Sequence, residues 1–284
     1  MYQFYAHNFK YITKSLRQNP STTNPPHVWW SLTGPLAFLP IHAAGLYETA
    51  QSSVLGFKLA DYVVSSYTPT LTALIEASNL RGQLSGKPKL LAVALPLESG
   101  LPCVKKEIDI LEAHAQGHTF LKLMESDATV ENVVEGMKES NWVHFACHGV
   151  QEISDPTKSA LLLAKEGHLT LLDMTKLSLP HAELAYLSAC QTATGVEKLS
   201  EEAVHITAGM LLAGYHGVIG TMWSIMDDDA PEVANAVYAH LLSQSNPDAT
   251  QAAFALHEAV KKLCDESGGT KSFFSWVPYI HVGI

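Results

Sequence analysis

Two apolar runs end in residues that could do chemistry together. Val143-His-Phe-Ala-Cys-His148-Gly149 closes on a histidine and a glycine, and Ala185-Tyr-Leu-Ser-Ala-Cys190-Gln191 closes on a cysteine. A free thiol has a pKa of about 8.5, so only a few per cent of it is thiolate at neutral pH, and a nearby imidazole is the usual means of activating it. The same imidazole can then protonate a leaving amine. Gly149 brings a backbone N–H close to a reacting carbonyl because no side chain intervenes. With the Cys190 N–H it can form an oxyanion hole, in which one donor is often worth roughly 3 kcal/mol. No third, orienting group is legible. On spacing alone a plainer reading stands beside this one: Cys190 is a small buried hydrophobe at a strand end, and His148 is a turn histidine with its hydrogen bonds satisfied.

For the two residues to meet, their runs must be neighbouring parallel strands, because the carboxyl ends of such strands open onto one crevice. The rest of the chain supports that arrangement. Leu90 to Leu95, Trp142 to Cys147, Leu184 to Ala189 and Val218 to Trp223 read as buried strands, and Thr119 to Leu123 as another. Helices follow between them, with Val104, Ile108, Leu111 and Ala115 on one face of the first and Val130, Val133, Val134 and Met137 on the second. Ser200 can cap a helix that Gly214 ends. Val233, Val237 and Leu241, then Ala253, Leu256, Val260 and Leu263, mark two more. Ser159 to Ala164 and His168 to Leu172 read as a hairpin around Lys165-Glu-Gly167. The fold class predicted is α/β, a mostly parallel central sheet with helices on both faces.

Upstream, short apolar runs begin at Val28-Trp29-Trp30, and Gly34-Pro35 marks a turn before a further strand-like run, Leu36 to Ile41. Asp61 to Tyr67 reads as a strand and Leu71 to Leu80 as a helix. Residues 1–28, rich in Asn, Ser, Thr and Pro, read as a flexible lead-in. Residues 29–284 are expected to form a single domain, and the polar segment Arg81 to Lys89 is where two lobes of it would meet.

Composition narrows the function classes. A hydrophobic content of 47% with 16% charged residues fits a chain that buries a sizeable core. The 18 basic and 28 acidic residues give a formal charge of −10, opposite to the basic footprint of a nucleic-acid binder. No apolar stretch approaches the roughly 18–20 residues that span a bilayer. The first twenty residues lack the apolar core and cleavage site of a secretory signal, so a soluble, cytoplasmic protein is expected. The four cysteines, Cys103, Cys147, Cys190 and Cys264, are irregularly spaced and expected to be reduced thiols. Strand alternation puts His144 and His148 on one face and Cys147 on the other, which argues against a metal centre there. No cofactor or metal is expected, and none of the common hydrolase, P-loop or dinucleotide motifs occurs.

The stretches HFACHG (144–149) and LSACQTA (187–193) resemble the paired signatures of the CHAT family, a caspase-like group of clan CD cysteine peptidases. The two motifs follow in the family's order, and their histidine and cysteine are 42 residues apart. Leu32 to Gly45 resembles the family's amino-terminal block, and Glu202 to Trp223 its segment after the cysteine. The resemblance implies an endopeptidase in which His148 is general acid/base, Cys190 is nucleophile, and the Gly149 and Cys190 N–H groups receive the oxyanion. The substrate implied is a protein or peptide, and a helical-repeat region or partner is implied as regulator.

Thr221-Met-Trp-Ser-Ile-Met-Asp227 is similar to the family's S-L-W-x-V-x-D, with Met222 in place of leucine and Asp229 close behind. Separases, of the same clan, have a similar segment whose aspartate receives a basic P1 side chain, so the resemblance implies substrate binding by Asp227. Alternatively Asp227, Asp228 and Asp229 simply precede a helix beginning near Ala230-Pro231, where acids favourably oppose the helix dipole. Two other functions fit the same motifs: a catalytically silent caspase-like interaction module, and a cysteine-dependent hydrolase or transferase acting on a non-peptide acyl group.

Overall fold

Along β3 (Lys89–Ala94) the side chains sort by alternation into two cores. Leu90, Ala92 and Ala94 join one cluster, and Leu91 and Val93 join another. A strand buried on both faces belongs in the middle of a covered sheet, and each Leu or Val so buried contributes about 1.5–3 kcal/mol. The computed structural model describes residues 25–45, 47, 58–80, 87–95, 103–150, 152, 154–188, 190–191, 203–243, 246–266 and 273–284.

Among the described residues the sheet built around β3 has eight strands. The others are β1 (His27–Trp30), β2 (Val64–Tyr67), β4 (Thr119–Met124), β5 (Trp142–Ala146), β9 (Leu184–Leu187), β11 (Gly217–Thr221) and β12 (Tyr279–Gly283), in the order β1-β2-β12-β11-β9-β5-β3-β4. Every pairing is parallel except that of β11 with β12. A mostly parallel sheet was the expected form, and its four central runs lie where the sequence puts them.

Helices cover both faces. On one side lie α2 (Cys103–His114), α6 (Ala230–Leu242) and α7 (Ala252–Glu266), with Val104, Ile108, Leu111, Val237, Leu241 and Leu256 in the core. On the other lie α3 (Val130–Glu139), α4 (Leu171–Lys176) and α5 (Ala203–Ala213), with Val133, Met137, Met174, Ile206 and Met210 inside. Helix α1 (Leu71–Leu80) falls on the predicted span. Thr129 caps α3 by accepting from the Asn132 N–H. Gly214 follows α5 with φ +124, and an added Cβ there would lie 2.5 Å from the Leu179 carbonyl oxygen, so only glycine can end the helix this way. Ser200, the predicted cap, lies outside the described residues, as do residues 1–24 of the predicted lead-in and residues 81–86 of the polar segment.

Two upstream expectations change. Leu36 to Ile41 is not a strand: the segment folds into 3₁₀ turns over Gly34–Phe38 and Ile41–Ala43. Pro35 and Pro40 have no N–H to give a ladder, and short turns use what remains. The predicted strand over Asp61 to Tyr67 begins only at Val64, after a 3₁₀ turn at Leu59–Asp61. Sequence reasoning did not reach β12, which lies between β11 and β2 and so joins β1 and β2 to the rest of the sheet.

A second, smaller sheet has the order β10-β6-β7-β8, from β6 (His148–Val150), β7 (Ala160–Leu163), β8 (Gly167–Thr170) and β10 (Cys190–Gln191). Strands β7 and β8 form the predicted hairpin, with Lys165 at φ 58 and Glu166 at φ 57. Two successive residues in the left-handed region give the mirror-image turn that matches strand twist.

Candidate active site

The site is made where the large sheet hands over to the small one. Strands β5 and β9 are parallel neighbours, with Trp142 opposite Leu184 and Phe145 opposite Leu187. The Ser188 N–H still donates to the Phe145 carbonyl at 2.8 Å. Past that bond β5 bends at Cys147 and continues into β6, and the chain after β9 re-enters a strand at β10. Strands β6 and β10 are again parallel, and the residue paired with Cys190 is His148, with Gln191 opposite Gly149. Adjacent strands lie about 4.8 Å apart, so the backbones of His148 and Cys190 are immediate neighbours at the carboxyl edge of the main sheet.

His148 is half-buried, and its Nδ1 is shielded from solvent. Gly149 is buried, and an added Cβ would meet only Ile206 Cδ1 at 3.7 Å and the Ala160 carbonyl oxygen at 3.8 Å. Packing therefore does not demand glycine at 149.

The other described cysteines are poorly placed to act as nucleophiles. Cys147 is fully buried and faces the α3–α5 core, and burial pushes its thiol up to about 12. A thiol so held stays protonated at neutral pH. Partial burial and the carboxyls of Asp228 and Asp227 push the Cys103 thiol up to about 11. Burial also raises the Cys264 thiol.

Asp227 lies on the loop after β11, partly exposed. Its Oδ2 accepts the backbone N–H of Cys103 at 3.1 Å, and Asp228 Oδ1 accepts from Cys103 Sγ at 3.3 Å, so these acids close the N-terminus of α2. Asp229 occupies the N-cap position of α6 but makes no capping hydrogen bond with its side chain. The acids thus face a helix start, and the helix that Asp227 serves is α2 and not the one that follows it in sequence.

His144, read from sequence as a packing residue, is buried on the α2 side of the sheet. Its Nδ1 is 3.0 Å from the Tyr238 hydroxyl, its ring stacks on Tyr186, and its Nε2 lies 3.3 Å from Glu107 Oε1. Glu107 is only 1% exposed and also accepts from Ser188 Oγ at 3.0 Å. Sequence reasoning passed over Glu107, although the signal was present: it stands three residues after Val104, on the apolar stripe of its helix, where an acid is out of place. Among the described residues no group of three or more His, Cys, Asp or Glu could hold a metal ion, and no helix is long and apolar enough to cross a membrane.

The CHAT domain model matches residues 6–284. The chain belongs to the CHAT domain family.

Among curated proteins none matches this CHAT domain. Among solved structures it is similar to the separase of the Saccharomyces cerevisiae separase–securin complex at 12% identity and a TM-score of 0.62, over 91% of this chain and 15% of that one. It is similar to the Arg-specific cysteine proteinase gingipain R (RgpB) at 10% identity and a TM-score of 0.62, over 96% of this chain and 66% of that one. The complex of pro- and mature domains of Porphyromonas gingivalis RgpB gives 8% identity and a TM-score of 0.60, over 96% of this chain and 67% of that one. The CHAT domain therefore spans about a seventh of the separase chain and just under two thirds of gingipain R. At such identities the likeness is one of fold, and that fold is caspase-like.

Proposed function

We propose that this CHAT domain is a cysteine endopeptidase whose dyad is His148 and Cys190. The observation that carries the reading is the pairing of those two residues on adjacent parallel strands, at the edge where strands of an α/β sheet present their loops. His148 takes the proton of the Cys190 thiol, and the sulfur attacks the scissile carbonyl carbon. The oxyanion formed is received by the N–H groups of Gly149 and Cys190. When the tetrahedral species collapses, the C–N bond breaks, His148 gives its proton to the departing amine, and a thioester remains. Water, deprotonated by the same imidazole, then hydrolyses the thioester and restores the thiol.

Asp227 is assigned to the P1 pocket, with arginine or lysine preferred. Its bond to Cys103 uses one of the roughly four acceptor positions of a carboxylate, and a bidentate guanidinium can engage others. The Arg-specific character of gingipain R supports a basic preference in a shared fold. A basic P1 side chain pairs with the acid, whereas a neutral one leaves it uncompensated.

The test is labelling by a peptide-based cysteine-reactive probe bearing P1 arginine. Labelling at Cys190 that disappears in Cys190→Ala and falls sharply in His148→Ala supports the peptidase. Equal labelling of all three proteins, or none of the wild type, leaves the interaction-module reading in its place.

A further inference from the structure

Helix α2 presents Val104, Glu107, Ile108 and Leu111 to the core. Three of the four are what a helix lying on a sheet requires. The acid is not, because burying a carboxyl group is unfavourable unless its oxygens find partners, and an apolar side chain would fill the same space without that cost. Departures of this kind concentrate where a chain does something besides fold.

The partners of Glu107 come from the two strands that lead to the dyad. Ser188 Oγ donates to Oε2 at 3.0 Å, and Ser188 stands two residues before Cys190. His144 Nε2 faces Oε1 at 3.3 Å without a hydrogen bond between them, and His144 stands four residues before His148. The His144 ring is held in turn by the Tyr238 hydroxyl at 3.0 Å and by Tyr186 stacked at 4.7 Å. The first residue of the same helix, Cys103, is bound to Asp227.

We infer that Glu107 is a positioning residue, one carboxyl group hydrogen-bonded to Ser188 at the end of β9 and packed against β5 at His144 just before the strands deliver Cys190 and His148, an inference that rests on reading those two as the dyad. The need for such an anchor lies in the next few residues. Among the described residues β10 joins β6 through the pairs Cys190 with His148 and Gln191 with Gly149. A slip of one residue there would set Cys190 opposite Cys147 or Gly149. Apolar packing has no direction and does not resist a slip as a hydrogen bond does. Glu107 supplies the direction from beneath.

The test compares Glu107→Leu, Glu107→Gln and Ser188→Ala with the wild type. It reads the rate of Cys190 alkylation by iodoacetamide, resolved by site with mass spectrometry, kcat and KM on a P1-arginine peptide, and thermal unfolding as a control. Glu107→Leu is expected to fold and to lose about tenfold or more in both alkylation rate and kcat, with KM within about twofold. Glu107→Gln, whose amide oxygen still accepts from Ser188, should recover to within about threefold of wild type, and Ser188→Ala should fall between the two. A folded Glu107→Leu with wild-type alkylation and kcat overturns the inference. Equal losses in the Leu and Gln variants also overturn it, because they assign the effect to charge and not to the bridge. Should Glu107→Leu fail to fold, Ser188→Ala decides: unchanged alkylation overturns the inference and slowed alkylation supports it. A wild type that cleaves no peptide while the alkylation contrast persists refutes the peptidase reading and leaves the positioning role standing.

Discussion

Asp227 Oδ2 accepts the Cys103 backbone N–H at 3.1 Å across 124 residues of chain, so the acid proposed to select the substrate is also a cap on α2. The two duties are separable by substitution. Asparagine keeps an acceptor for Cys103 but has no charge for a basic P1 residue, whereas alanine keeps neither. Asp227→Asn is expected to unfold within about 0.5 kcal/mol of wild type and to lose its preference for P1 arginine and lysine in a peptide library. Asp227→Ala should lose the preference and, in denaturant unfolding, about 1 kcal/mol more. A basic preference that survives in Asp227→Asn would leave the carboxyl with the helix alone.

Gly149→Ala separates chemistry from packing. The new methyl group would meet Ile206 and Ala160 only at ordinary contact distance, so stability should change by less than about 0.5 kcal/mol. If the Gly149 N–H receives the oxyanion, the methyl group crowds the approaching carbonyl and kcat falls by about tenfold or more with KM little changed. Wild-type kcat in Gly149→Ala would remove Gly149 from the oxyanion hole.

Cys147→Ala should do the reverse. The thiol is fully buried among Phe145, Leu187 and their neighbours in the α3–α5 core, so its loss is expected to cost about 1 kcal/mol in urea unfolding. Labelling of Cys190 by the probe should stay at wild-type level. A stable but unreactive Cys147→Ala would identify the wrong cysteine as nucleophile.

Acid should loosen the seam between β12 and β2. His281 on β12 is buried, its Nδ1 is 2.7 Å from Ser66 Oγ, and Ser66 is in turn 2.6 Å from His27 Nε2. Burial, with His27 adding to it, pulls the His281 pKa down to about 3, while the unfolded chain titrates near 6.5. The unfolded state therefore binds the extra proton in this window. The stabilisation is complete above about pH 6.5 and is lost as pH falls toward 3, at about 1.4 kcal/mol per pH unit for this one group. His42, bound to Tyr67 and the Val277 carbonyl and lowered to about 4 by burial, acts in the same direction. The slope of unfolding free energy between pH 4 and 6 should drop by about one proton's worth in His281→Asn. An unchanged slope would exclude His281 as a source of acid sensitivity.

What the sequence disclosed and what it withheld follow from the range of the forces involved. The runs around Phe145, Leu187 and Ile219 are continuous apolar stretches and are legible because a strand buried on both faces permits little else. The Lys165–Gly167 hairpin and the Gly214 helix end are local events with local signatures. Strand β12 is no less apolar, but its place between β11 and β2 is decided by partners distant in sequence, such as Gly217 opposite Gly283 and Tyr67 opposite Val282, which no periodicity records. Leu36 to Ile41 misled because its apolar residues resemble a strand, while its prolines forbid one. The family motifs marked His148, Gly149, Cys190 and Asp227, but not the bond from Asp227 back to Cys103. Glu107 was readable as an acid on an apolar stripe, although its partners were not.

The place of β12 gives the chain a schedule as well as a shape. Ribosomes make the strands in order, and β2, complete at Tyr67, cannot reach its partner until Tyr279 to Gly283 have been added. At about 5–20 residues per second that interval is roughly 10–40 s. Through it the nascent β1–β2 pair has one edge open, which is a standing invitation to wrong pairing and to chaperones. Strands β3, β4 and β5 suffer no such delay, since their partners are all made before residue 188, and β9 waits only for β11, complete at Thr221. The strands that lead to His148 and Cys190 can therefore pair while the part that completes the sheet is still being synthesised.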